Sequence, residues 1–336
     1  MMHTRPSRHS LIAGLLSLVA SGAQAQAELS TQGVLDLSYG RFEPSGFYRE
    51  HRFNSNSLTA SFVGLNAKYG LEGGYSVGAT VESFVRFQDW SLGRSGNDPF
   101  FSRNAFVSVS SKYGSVRVGR LQTYLFDATA RFNALGNSVA FSPAIRHVFA
   151  AGNLEGVQGD FYWNRAVSYS TPNWEGVTAN LMYSQGQNDA RGHRAAASLI
   201  VSKGLFGAAL SAQRVRRNDG IIDPVSEDTW QAGATYNFGI VRVFGLFTRT
   251  RDRGLEVNSK LSSGGVAIPV GPGTLQAQAG RATTEGVAVE RKHTSVSAAY
   301  LYHYDSKTDV YVVGMDDRVR NQTKGVSLAA GVRYRF

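Results

Sequence analysis

Apolar and polar residues alternate with a period of two along most of the chain, from Leu29 onwards. Apolar side chains fill every second position, and the positions between them carry mainly Ser, Thr, Asn, Gln and Gly. A period of two is that of a β-strand. Helical spacing is confined to a turn or two around Phe126–Leu135. The chain is therefore predicted to be all-β. The clearest strands are VTANLMYSQ (177–185), TWQAGATYNFG (229–239), TLQAQAGR (274–281) and SVSAAYLYHYD (295–305).

The polar second face separates two all-β classes. A soluble sandwich buries its apolar face in a solid core, whereas a membrane barrel turns apolar residues towards lipid, polar residues inwards, and aromatic residues towards both interfaces. Because lipid cannot hydrate unpaired backbone groups, only helices and closed barrels span it. The alternation therefore favours a transmembrane barrel. Aromatic residues stand near the predicted strand ends at Trp163, Tyr183, Trp230, Tyr236 and Tyr304.

The connections give the strand number. Seven are short and rich in turn residues, and eight are generally longer and more polar, which gives fifteen connections and sixteen strands. Short periplasmic turns and longer external loops alternate in outer-membrane barrels, and sixteen strands enclose an aqueous channel. The turns lie at 70–74, 112–115, 172–176, 203–206, 237–240, 270–273 and 305–308, and the loops at about 42–57, 88–102, 121–161, 187–191, 216–227, 252–258, 284–292 and 316–324.

Residues 1–25 have the pattern of a cleaved secretory signal peptide: a basic start, an apolar stretch at Leu11–Ala20 and a small-residue site at Ala23–Ala25. Residues 26–336 are then predicted to form one barrel. The 336 residues carry a net charge of +10, or +8 without Arg5 and Arg8. This sign points weakly to anionic partners, and export argues against nucleic acid. The chain has no cysteine, so another source must supply the stability that disulfides give other exported proteins, and a closed, hydrogen-bonded barrel is one candidate.

Several segments, in order along the chain, resemble the trimeric general porins of the neisserial and β-proteobacterial type. They are QGVLDLSYG (32–40), SFVGLNAKYGLEGGYSVGATVES (61–83), SRNAFVSVSSKYGSVRVGRLQ (102–122), NRAVSYSTPNWEGVTANLMYS (164–184), YNFGIVRVF, GGVAIPVG, DSKTDVY and the terminal GVRYRF. The resemblance implies a homotrimer in the outer membrane of a Gram-negative bacterium, passive diffusion of small hydrophilic solutes, a common preference for anions, and a third external loop folded into the lumen. The longest loop, about 121–161, is the third.

The resemblance also implies residues of the pore constriction, where basic wall residues face acidic loop residues. Arg103 matches the basic residue of the family's R-x-A-x-V strand, Glu82 its glutamate, and Arg120 the G-R before the third loop. Asp127 follows LQTYLF (121–126), at a position where the family often has an aspartate. Alternation places Arg120 on the lipid side with Val116 and Val118 unless a bulge shifts the register. Arg131, Arg146, Glu155 and Asp160 are further candidates.

Two positions depart from the family pattern. Phe62 replaces a basic wall residue, and Tyr69-Gly70 replaces an acidic pair. Arg86, Arg165, Arg333 or Arg335 could restore the lost charge. The last strand carries Tyr334 and Phe336 on its lipid face and two arginines on the other, near the periplasmic mouth. A terminal aromatic residue resembles the signal recognised by the barrel-assembly machinery.

The sequence thus favours a passive, anion-preferring porin that contacts outer-membrane lipid and lipopolysaccharide. One alternative is a substrate-specific channel for a small organic acid or sugar, with Phe62 and Tyr162 as an aromatic track. Another is a surface adhesin or receptor, which the modest loops disfavour. The chain carries no nucleophile, phosphate-binding or metal-ligand motif. Neither an enzyme activity nor a cofactor is predicted.

Overall fold

The computed structural model describes residues 27–150, 157, 161–185, 192–217, 225–287 and 289–336. The predicted signal peptide and parts of four loops lie outside these residues. Among the described residues, no helix is long and apolar enough to cross a membrane. The strands are β1 Ala27–Phe42, β2 Glu50–Asn54, β3 Phe62–Gly70, β4 Ser76–Arg86, β5 Ser91–Leu92, β6 Ala105–Ser111, β7 Gly114–Gln122, β8 Tyr162–Ser170, β9 Val177–Ser184, β10 Arg194–Lys203, β11 Phe206–Arg217, β12 Val225–Asn237, β13 Arg242–Asp252, β14 Val257–Val270, β15 Gly273–Gly286, β16 Val289–His303, β17 Thr308–Val319 and β18 Gly325–Arg335. The helices are α1 Tyr124–Arg131 and α2 Pro143–Ile145, and single turns of 3₁₀ and π helix span Glu72–Gly74 and Arg146–Ala150.

The strands close into a sixteen-stranded antiparallel barrel, as predicted. Every strand except β2 and β5 pairs with its neighbours around the barrel, and β1 pairs with both β3 and β18. The last residue completes the closure, because Gly33 N donates to Phe336 O at 3.0 Å and Phe336 N donates to Gly33 O at 3.2 Å. The strands β2 and β5 are short additions in the first two loops, paired with β1 and β4. All seven predicted tight turns connect the expected strands.

The two faces of the sheet differ as the alternation predicts. We call the face that exposes Leu181, Leu210 and Trp230 the apolar face, and the opposite face, with Gln231 and Gln278, the polar face. Four of the five aromatic residues expected near strand ends are exposed, namely Tyr183, Trp230, Tyr236 and Tyr304.

Trp163 stands near the end of β8, as predicted, but it is the exception in exposure. Its side chain is fully buried among Leu121, Met182 and Val215. The reason is a bulge in β8: Gly119 pairs with Ala166 but Leu121 pairs with Trp163, so two residues of β8 stand opposite Arg120 alone. Such a bulge reverses the faces of the residues beyond it.

The polar face carries an apolar area on β16–β18 that the sequence did not predict. Leu301, Val313 and Met315 are buried there, together with Leu135 and Phe141. The last two belong to the segment 123–149, which follows β7 and contains both helices. A second cluster joins α1 to β11, β13 and β14 in the same way. Apolar side chains on this face therefore mark where the segment packs against the wall.

Small residues of the wall allow the segment to come close. A Cβ atom added to Gly233 would lie 2.8 Å from Cβ of Phe132, and one added to Gly280 would lie 2.8 Å from Cβ of Pro143. Polar contacts also connect the segment to the wall. Gln231 Nε2 donates to Thr129 Oγ1 at 2.8 Å, and the Ser138 hydroxyl donates to Ser57 O.

We predict that Phe141→Ala loosens this segment while the barrel stays closed. Phe141 is fully buried, and truncating a buried Phe costs about 3–5 kcal/mol. Limited trypsin digestion should then cut within residues 123–149, while the heat-modifiable electrophoretic mobility of the barrel is retained. Phe238→Ala, at a turn residue that is 59% exposed, is the matched control. Unchanged resistance to trypsin in F141A would contradict the prediction.

Candidate functional site

A cavity of about 850 Å³ opens along the polar face of the first half of the barrel. Its wall comes from β1, β3, β4 and β6–β10, and α1 contributes the remaining side. Most lining residues are small and polar, with a few apolar side chains among them. The charged residues of the lining are Glu82, Arg103, Arg117, Asp127 and Arg131.

Glu82 and Arg103 form an ion pair at this wall. The Glu82 carboxylate is buried and also accepts hydrogen bonds from Gln32 Nε2 at 2.5 Å and Asn104 Nδ2 at 2.6 Å. The other partner of Arg103 is Phe62, whose ring centroid lies 3.8 Å from the guanidinium carbon. A guanidinium in this position is attracted by the ring electrons. The phenylalanine that replaces a family basic residue therefore supports a neighbouring arginine.

Asp127 and Arg131 lie on α1, four residues apart. The helix begins after Thr123, whose hydroxyl accepts from Phe126 N at 3.3 Å. Asp127 stands in the first turn and pairs with Arg131 at 2.8 Å, an arrangement that the helix dipole also favours. The Arg131 side chain is the more exposed of the two, so the helix presents a cation to the cavity.

Arg120 lies outside the cavity. Val116 and Val118 of the same strand are 41% and 50% exposed, whereas Arg120, which stands opposite the bulge of β8, is 7% exposed. Its guanidinium donates twice to Ser102 O, at 2.9 and 2.8 Å, and to Asn164 Oδ1 at 2.7 Å. Through these hydrogen bonds Arg120 connects the second loop to β8.

Arg86 and Arg165 also lie outside the cavity. Arg86 Nε donates to Ser91 Oγ at 2.8 Å, and Arg86 pairs with Asp89 at 3.2 Å, within the second loop. Arg165 is exposed in the bulge of β8 with a positive φ of 51°. Glu155 and Asp160 lie outside the described residues. Of the predicted constriction residues, Glu82, Arg103, Asp127, Phe62 and Arg131 therefore share one cavity.

Two lining arginines were missed by the sequence reasoning. Arg117 lines the first cavity, and alternation with the exposed Val116 and Val118 is the signal that marks its face. Arg242 lines a second cavity of about 470 Å³, together with Arg131 and Arg333. Arg131 lines both cavities, so the end of α1 lies between them.

A buried polar cluster attaches the other end of segment 123–149 to strands β16 and β17. Asp317 accepts from Arg146 at 3.3 Å, His293 Nε2 at 2.7 Å and Ser295 Oγ at 2.6 Å. His147 Nε2 lies 3.2 Å from the same serine hydroxyl, and its ring centroid is 4.1 Å from that of His293. Burial, and next the charges of His293 and Arg146, hold the pKa of His147 well below its ordinary value of 6.5. The cluster therefore favours a neutral His147.

Comparison with known proteins gives a consistent picture. A family model described as Gram-negative porin matches residues 12–322. Outer membrane porin protein 32 of Delftia acidovorans is 28% identical over 330 residues, which cover 90% of this chain and 88% of that protein. An anion-selective porin from Comamonas acidovorans is 20% identical with a TM-score of 0.77, over 93% of this chain and all of that one. OmpT of Vibrio cholerae is 14% identical with a TM-score of 0.72, over 94% and 99% of the two chains.

We predict that acid weakens the attachment of segment 123–149 to the wall. Because the pKa of His147 is lowered when the segment is attached, a released segment binds more protons below about pH 6.5. Attachment is therefore strongest above that pH and weakens as the pH falls below it. Arg146, Arg291 and His293 face His147 with positive or protonatable groups, and Asp317 opposes them. Current fluctuations in planar bilayers should increase on acidification.

The His147→Gln variant tests the assignment, because glutamine can hydrogen bond to Ser295 without taking up a proton. Its currents should depend less on pH below about 6.5 than those of the wild type. His303, exposed near a turn and paired with Asp309 at 2.7 Å, is present in both proteins. Identical pH profiles for H147Q and wild type would exclude His147 as the responsible group.

Proposed function

The chain belongs to the Gram-negative porin family, and on this basis we propose that it is an anion-preferring diffusion channel narrowed by its segment 123–149. The family and the similarity to an outer membrane porin of Delftia acidovorans place the protein in the outer membrane. Its strands form a closed barrel of a size that encloses water. Small hydrophilic solutes cross through this lumen.

Segment 123–149 lies inside the lumen and sets its width. This part of the proposal is supported by the contacts of the segment with Gln231, Ser57 and Asp317, and by the apolar clusters it forms with the polar face. A polar face is the lumenal one in membrane barrels. The two cavities on either side of α1 are then the water-filled passages that remain.

The charge of the cavity lining carries the proposed preference for anions. Five arginines line the two cavities, against the carboxylates Glu82 and Asp127. A carboxylate outside the lining, Asp309, pairs with Arg333 at 2.7 Å. One cation about 4 Å from a permeating anion favours it by about 1 kcal/mol in water-like surroundings. The excess of arginines therefore favours anions severalfold. The anion-selective porin of Comamonas acidovorans has the same fold.

The contacts do not favour a specific aromatic binding track. The Arg103 guanidinium covers one face of Phe62. Tyr162 is buried, and its hydroxyl donates to Gln122 Oε1 at 3.0 Å. A passing sugar or organic acid therefore meets guanidinium and amide groups rather than a pair of open rings. Passive diffusion with charge selection is the better description, and a solute that blocks the current at micromolar concentration would argue for specific binding.

Two further proposals concern assembly. The protein forms a homotrimer, as the trimer form of Vibrio cholerae OmpT supports, and a monomeric mass in mild detergent would overturn this. Tyr334 and Phe336, exposed and stacked with ring centroids 6.0 Å apart, are the signal for the barrel-assembly machinery. Phe336→Ala should then reduce the amount inserted in cells but still allow refolding in detergent. A full cellular yield would remove the signal role.

Replacing Arg103 with alanine should lower the preference for anions severalfold, because it removes a cation from the cavity and leaves the Glu82 charge without its main partner. Reversal potentials across a KCl gradient in planar bilayers measure this. The double variant Arg103→Ala/Glu82→Gln should recover part of the preference.

Arg86→Ala removes the same charge from a loop contact outside the cavity and is the matched control, with selectivity close to wild type. Unchanged reversal potentials in R103A would remove Arg103 from the selective region. A cation-preferring wild type would overturn the proposed selectivity altogether.

A further inference from the structure

The apolar face carries cations where strands β13–β16 approach their loop ends. Arg249, Lys260, Thr283 and Lys292 are successive cross-strand partners in one row across four strands. The row lies on the face that exposes Leu275 and Val296, because residues on one strand an even number apart share a face. Three of the four positions in this row on the outer side of the barrel are thus cations, and Arg249 and Lys260 are direct neighbours. Arg251 and Arg281 flank the row, each two residues from one of its members.

This arrangement is unfavourable without a partner. Arg249 and Lys260 pair directly, and like charges at directly opposed positions destabilise a sheet. Within the described residues, none of these five cations forms an ion pair with a carboxylate. Two neighbouring acidic groups are engaged elsewhere. Asp228 pairs with Arg214 at 2.5 Å and with Arg253 at 3.0 Å. Glu290 pairs with Arg320 at 3.0 Å.

The side chains enclose a shallow depression of about 350 Å³. Guanidinium and ammonium groups from adjacent strands converge there with an amide and a hydroxyl, so that donors surround it on several sides. Planar guanidinium groups bind phosphate oxygens in pairs, and an ammonium adds a point charge. One carboxylate, Glu285, stands at the loop end of the depression. The lining consists of Arg249, Arg251, Asn258, Lys260, Thr283 and Glu285.

The depression lies at the level of the membrane interface. Trp230 is the cross-strand partner of Arg249, and its ring lies 5.3 Å from that of Phe247. Exposed aromatic residues mark the boundary of the hydrocarbon layer in membrane barrels. The cluster lies at the ends of β13–β16 that lead into the connections 253–256 and 287–288, opposite the tight turns at 238–241 and 271–272. These ends lie on the same side of the barrel as the long connection 123–161 between β7 and β8, because neighbouring strands alternate in direction, and the longer connections of such barrels face the outside.

We propose that this depression binds phosphate groups of a phosphorylated lipid in the outer leaflet of the outer membrane. An anionic headgroup at this level neutralises the row of like charges, while its acyl chains cover the apolar face below. A twofold contact with a second copy of this chain does not fit, because it would bring two positive surfaces together. The inference goes beyond transport through the lumen and depends only on the position of the barrel in the membrane.

Binding of fluorescent lipopolysaccharide to the full-length protein in detergent tests the proposal. Arg249→Gln/Lys260→Gln should bind roughly 10- to 30-fold more weakly than wild type, since each cation near an anionic lipid surface contributes about a fivefold change. Enzymatically dephosphorylated lipopolysaccharide should bind wild type as weakly as it binds this variant. Arg214→Gln/Arg318→Gln removes two cations from the same face, both already paired with aspartates, and should bind within about twofold of wild type.

Three results would overturn the proposal. They are equal losses in the two double variants, unchanged affinity after dephosphorylation, and inorganic phosphate that binds as tightly as the lipid, which would indicate a site for the free ion. Reversal potentials of R249Q/K260Q should equal those of wild type, because the depression lies on the opposite face from the cavities. The lipid site and the anion channel can therefore fail independently.

Discussion

Hydrogen bonds between β1 and β18 close the sheet, and both faces of the molecule depend on that closure. An open edge would leave unpaired backbone groups in lipid, at several kcal/mol each. The pairing extends to the last residue, where Gly33 and Phe336 exchange two hydrogen bonds. Once closed, the sheet has one face towards lipid and one towards the lumen. Successive residues of a strand then face lipid and lumen alternately, so an odd or even position along the strand decides whether a polar or an apolar side chain fits there.

This strict parity explains why the strand order could be predicted from the sequence. The sixteen strands, their tight turns and the face of most residues follow from a period of two and from turn residues. The reasoning failed where a local feature changes the parity or the environment. The bulge of β8 opposite Arg120 turned Trp163 inwards, and the arginine is buried in hydrogen bonds to Ser102 and Asn164. Leu301 and Met315 are apolar on the polar face because Leu135 and Phe141 cover them.

At the candidate site, the sequence likewise predicted which residues take part but not which side chains they contact. Family resemblance named Glu82, Arg103, Phe62 and Asp127, and all four line one cavity. Their contacts could not be predicted, because a cross-strand contact depends on register and rotamer as well as on the face. Phe62 appeared to be a lost charge. In the barrel its ring lies under Arg103 while Glu82 holds the other side. Phe62, which removes a family basic residue from the wall, thus helps to hold the guanidinium of Arg103 in place.

Closure also divides the positive charge of the chain between two environments. Arg103, Arg117 and Arg242 line cavities on the polar face, where charge acts on passing ions. Arg249 and Lys260 stand on the other side of the same sheet, separated from those cavities by a layer of backbone and apolar side chains. Charges beyond a Debye length of about 8 Å are largely screened in physiological salt. The net charge of the sequence therefore cannot by itself give the selectivity of the channel. What matters is the face on which each cation lies, and in a closed barrel that face is decided by the parity of its position.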